Sequence, residues 1–175
     1  MNTEVMTAPS IDFLTILPFI IVGGAAVLGV LVETFLGRRA RRPVQLVLVF
    51  GSLVAAFSAL IWQSGTRSLE VEGALALDGP GVLLMGLIII VAFVSAMLLA
   101  ERQLDPAGDA FAPRASALPG SVEERELTAR GYLQTEVWPL FLFAVLGMLL
   151  FVTSTNLLIM FVALEVMSLP LYLLA

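Results

Sequence analysis

One carboxylate stands in a stretch with almost no other polar group: Glu165, inside Asn156–Ala175, NLLIMFVALEVMSLPLYLLA. From Leu157 to Ala175 the run is apolar apart from Glu165, Ser168 and Tyr172. As a helix rising ~1.5 Å per residue, it nearly crosses a hydrocarbon core of ~30 Å and puts Glu165 near the middle. A charge at that depth is costly, so such a residue normally faces a protein interior or a water-filled cavity. Burial disfavours the charged form of a carboxyl and a nearby cation favours it. A neighbour that moves would therefore make Glu165 take up and release a proton. Pro170 removes the amide that would have bonded the Val166 carbonyl, one turn inside the same helix. That freed acceptor, with Ser168 close by, is a place for a water beside the acid. Pro170 and Ser168 are read as kink and packing residues that support the site rather than as proton carriers. The plainer alternative for Glu165 is a glutamate that simply hydrogen-bonds a neighbouring helix.

The remaining composition excludes most other chemistry. Of the 175 residues 59% are hydrophobic and 13% charged, with a mean hydropathy of +1.02. A soluble domain has roughly 45–50% apolar and about 25% charged residues, so the chain is a membrane protein forming one compact domain. Cys and His are both absent. That rules out disulfides, thiolate-held iron–sulfur clusters and histidine-ligated haem or zinc within the chain. There is no phosphate loop, dinucleotide fingerprint or nucleophile motif. The acids between Glu101 and Gly131 match no calcium loop. No basic patch alternates with aromatics, so nucleic acid is not a partner; the lipid bilayer is.

These residues are positioned by five expected spans. The first covers residues 13–36, with Pro18 in its early turns, where a proline is tolerated. A connection over 37–43 carries Arg38, Arg39, Arg41 and Arg42, and Pro43 opens the second span, 44–63. Gly51, Ala55 and Ala59 form a small-residue stripe there, which lets another helix approach closely. Residues 64–80 are turn-rich and alternate as LEVEG and ALALDG, the pattern of a short β-hairpin. Asp78, Gly79 and Pro80 read as a turn. The third span is 81–100. The long polar connection 101–131 holds Ser121 and Glu124, a capping box for a surface helix. Glu136 stands at the edge of the fourth span, 137–153. Only Ser154, Thr155 and Asn156 separate it from the fifth, 157–175, with Asn156 as the N-cap. Glu33 and Glu136 both lie near span ends, where a carboxylate reaches water at little cost. Glu33 is read as interfacial; for Glu136 an interfacial and a functional reading stand equal.

Charge sets the orientation. The first and third connections carry four arginines each, and the remaining extramembrane segments carry Arg67 alone. Arginine-rich loops stay cytoplasmic, so the N-terminus is expected outside and the fifth span to run inward. Because LYLLA ends without an interfacial anchor, the 175 residues are expected to be the front part of a longer membrane protein.

The stretch TSTNLLIMFVALEVMSLPLYLLA resembles helix five of the antiporter-like membrane subunits of respiratory complex I. Its E-x-x-S-L-P-L-Y arrangement after a tight Asn-containing turn is most similar to subunit N of NADH:quinone oxidoreductase, the type I NADH dehydrogenase. Further matches are LDG before the third span and an acid, Glu136, 29 residues ahead of Glu165. The likeness is strongest over Glu136–Ala175 and weakest in the long third connection.

That resemblance implies an all-α helix bundle of which this chain supplies the first five helices, in a bacterial inner membrane and surrounded by other membrane subunits. It implies that Glu165 belongs to a proton-translocation path and pairs with a lysine on a later helix, and that Glu136 is a second, more peripheral acid of that path. No lysine occurs in this sequence. Electron transfer from NADH to quinone, with FMN and iron–sulfur clusters, is expected in partner subunits, with no cofactor held here. Two alternatives remain: a subunit of a multi-subunit monovalent cation/proton antiporter, and a structural membrane subunit without an ion path.

Overall fold

A computed structural model describes residues 12–63, 65, 68–71, 73–101 and 135–174. The expected surface helix at Ser121 and Glu124, and Arg67, Arg102, Arg114, Arg125 and Arg130, lie outside these residues. Five helices and one hairpin follow in order: α1 Leu17–Phe35, α2 Arg38–Trp62, β1 Ser68–Glu70, β2 Leu75–Leu77, α3 Gly79–Ala100, α4 Val137–Thr153 and α5 Leu157–Leu174. Helices α1, α2, α3 and α5 are long and apolar enough to cross a membrane. Helix α4 is apolar but has 17 residues, about 26 Å of rise, at the short end of what spans a bilayer.

Each boundary has a local cause. Helix α1 begins at Leu17 because Pro18 falls in its first turn, where a missing amide is harmless. The preceding residues turn on Asp12, whose carboxylate accepts from Leu14 N at 3.0 Å and Thr15 Oγ1 at 2.9 Å. The expected connection over 37–43 is corrected: α2 starts at Arg38 with Pro43 inside it. Arginine is a good helix former, and a proline at this position deprives only the Arg39 carbonyl, close to the helix start, of a partner. The reading of Asp78–Pro80 as a bare turn is also corrected. Asp78 caps α3, its Oδ1 accepting from Gly81 N at 2.7 Å, and Pro80 sits in the first turn. Asn156 caps α5, accepting from Ile159 N at 2.8 Å.

Helix α4 is the centre of the bundle: it packs against α1, α2, α3 and α5, whereas α5 packs on α4 alone among the described elements. Val22 of α1, Leu53 of α2, Ile89 of α3 and Leu142, Val145 and Leu149 of α4 meet in the core. On α2 the packed stripe is Val49, Leu53, Ala56 and Leu60. Gly51 of the expected small-residue stripe faces open space instead, because the inward face is set by the larger side chains three and four residues apart. The outer faces carry Leu83, Leu87, Ile90 and Leu98 on α3 and Leu157, Leu158 and Leu173 on α5, all exposed. Apolar surface on that scale is what a bilayer solvates and water does not.

The hairpin closes one end. β1 and β2 pair antiparallel with Ser68 opposite Leu77 and Glu70 opposite Leu75, and Leu75 and Leu77 are buried. It also binds the α4–α5 turn: Thr155 N donates to Ala74 O at 3.1 Å, Thr155 Oγ1 donates to Gly73 O, and Leu75 bridges to Ser154.

Candidate functional site

Glu165 is the ninth of the 18 residues of α5, about 12 Å from the start of that helix. Its direction follows from how α5 meets α4. Ala163 and Pro170 are buried, and Met167 lies against Gly147 of α4, where an added Cβ would come within 2.5 Å of Met167 N. Residues 163, 167 and 170 thus form the stripe facing α4. At about 100° per residue, Glu165 lies two residues and some 200° away from Ala163, on the opposite side of the helix.

That opposite side is uncovered in this chain. Leu158, Phe161, Leu169 and Tyr172 are exposed at 58–78%, and Glu165 is exposed with them. Spacings of seven, four, four and seven residues from Glu165 place all four on its face. The expectation of an enclosed Glu165 is therefore not met by the described residues themselves. Ser168 and Val166 are half-buried at the flank of this face, and Pro170 is turned toward α4.

Glu136 sits immediately before α4, exposed, and its side chain makes no cap bond. From Glu136 to Gly147, which marks the level of Met167, is 11 residues, about 17 Å along the helix. The two acids are thus on one helical hairpin but at different depths.

A second polar cluster escaped the sequence reading. Glu33, in the last turn of α1, has a side chain only 12% exposed. Its Oε1 accepts from Gln45 Nε2 of α2 at 2.9 Å, and its Oε2 accepts from Thr135 Oγ1 at 2.9 Å and lies 3.4 Å from Arg41 Nη1. Gln45 Nε2 also donates to Gly29 O at 2.7 Å, and Arg41 Nε to Leu36 O at 2.8 Å. Two signals were available. An acid in the last helical turn opposes the macrodipole unless something offsets it, and Gln45 is an amide in the otherwise largely apolar part of α2, where it is fully buried.

Among the described residues no group of three His, Cys, Asp or Glu is placed to hold a metal. The arrangement offers acids at two depths and a tightly bonded carboxylate at one end.

Comparison with known proteins agrees with this architecture. No family model matches the chain. It is 50% identical over 99% of its length to NADH-quinone oxidoreductase subunit N of Rhodococcus opacus (strain B4), covering 36% of that protein. The same-named proteins of Parafrankia sp. (strain EAN1pec) and Beutenbergia cavernae are 44% and 46% identical over 97% and 95% of the chain, and it covers 32% and 34% of them. The chain spans about a third of the length of these curated relatives.

Proposed function

We propose, from the premise that this multi-pass protein of the bacterial inner membrane is homologous over nearly its whole length to part of NADH-quinone oxidoreductase subunit N, that it serves in proton translocation by that complex. Glu165 is the acid that takes up and releases protons, and Glu136 is a second acid nearer the membrane surface. Oxidation of NADH, through FMN and iron–sulfur clusters to quinone, occurs in partner subunits, and its free energy reaches this chain as a change in what stands beside Glu165. The helix end that carries the α1–α2 turn and Glu136 faces the cytoplasm, as the arginines of the first connection require.

The observation that carries this reading is the rotation of α5. Contact at Gly147 and Met167 commits one face of α5 to α4 and turns Glu165 the other way. The relatives are about three times as long as this chain, and in a protein of that length this face is where further helices would pack. They would supply a dry, protein-lined site, including the partner cation expected beside Glu165; this sequence contains no lysine. A carboxylate left against lipid would be costly, so a mid-helix acid on an otherwise apolar stripe is accounted for by such cover.

The relatives' names favour this over the cation/proton antiporter. The reading is tested by replacing Glu165 in the complete subunit and following proton movement in the assembled complex.

A further inference from the structure

Glu33 takes no part in the path proposed above, yet its carboxylate meets three side chains: Gln45, Thr135 and Arg41. Its partners come from two places, Gln45 and Arg41 on α2 and Thr135 just ahead of α4, and Arg41 also donates to Leu36 O at the end of α1. The helices are drawn together at the same level. A Cβ on Gly29 of α1 would come within 3.0 Å of both Gln45 Oε1 and Pro139 Cβ. A bond of 2.9 Å spanning 102 residues of sequence thus fixes the segment that leads into α4 against the α1–α2 hairpin. Thr135 is itself buried, and its carbonyl accepts from Trp138 N at 3.3 Å, which starts the first turn of α4. Glu136 and Val137 lie between them.

We infer that Glu33 is a positioning residue: through Thr135 it holds the start of α4 and thereby sets where Glu136 stands at the membrane edge. This rests on the reading of Glu136 as an acid of the proton path. An acid in the last turn of α1 works against that helix's dipole, and the Arg41 guanidinium beside the Leu36 carbonyl offsets it. Among the described side chains, the other charged groups at this end are Arg42 of α2, bonded to Ala100 O at 3.2 Å, Glu101 after α3, and Glu136 itself.

The test uses the assembled complex in membrane vesicles. Glu33→Ala also strips Gln45 and Arg41 of one acceptor each and risks failed assembly, so the informative change is Thr135→Val, which removes only the hydroxyl bond. We expect it to assemble, to exchange amide hydrogens in the first turn of α4 several-fold faster, and to displace the pH profile of proton translocation per NADH oxidised. Thr135→Ser restores both, and Thr135→Val moves the profile no further in a Glu136→Gln background. An unmoved profile in Thr135→Val, while Glu136→Gln alone changes translocation, overturns the positioning role. Native translocation and pH profile in Glu136→Gln alone would mean that Glu136 is not on the path, and would overturn the inference for that separate reason.

Discussion

Gly147 of α4 and Met167 of α5 are in backbone contact: a methyl group on residue 147 would lie 2.5 Å from Met167 N and 2.7 Å from its Cα and Cβ. No side chain fits there without displacing one helix. Because Met167 is two residues from Glu165, the same contact decides which way the acid points.

Gly147→Ala is therefore expected to push α5 away from α4. Overpacking of a filled contact typically costs about 1–3 kcal/mol, and here the obstructing atoms are backbone, which cannot move aside by changing rotamer. The variant should lower the thermal midpoint of the assembled subunit and reduce proton translocation with it. Gly24→Ala is the control: nothing lies within 4 Å of that added Cβ, and its midpoint should stay at the native value.

The α3 cap makes a second prediction. Asp78 satisfies the Gly81 amide at 2.7 Å, and removing a cap typically costs about 1 kcal/mol. Asp78→Ala should lower stability by that order in thermal or denaturant unfolding. Asp78→Asn, which keeps an acceptor oxygen, should lose much less.

Orientation is open to direct labelling, because the chain contains no cysteine. Cysteine placed at Leu69, exposed on the hairpin, should react with an impermeant maleimide added outside intact cells. Cysteine at Ala40, exposed at the start of α2, should react only after the membrane is opened. The reverse pattern would invert the topology.

Much of this architecture is legible in the sequence, for identifiable reasons. Val137–Thr153 is bounded on both sides by polar residues, and the apolar run alone marks its ends. Asn156 caps α5 through a contact three residues away, a local signal. The start of α2 is harder, since Pro43 ordinarily suggests a helix beginning, while four arginines with good helix propensity carry the helix back to Arg38. What no local pattern shows is the bond that ties Glu33 to Thr135, because it joins residues 102 apart. The side of α5 that bears Glu165 is equally hidden, since it depends on which α4 residue is a glycine opposite Met167.

The central claim is that Glu165 carries protons. It is tested most directly by placing Glu165→Gln in the complete subunit, assembling the complex in inverted membrane vesicles, and measuring protons translocated per NADH oxidised. Glutamine keeps the size and the hydrogen bonding of the side chain but not its titration. The account predicts normal assembly with several-fold lower translocation, partly recovered by Glu165→Asp. Translocation at the native rate in Glu165→Gln would contradict it.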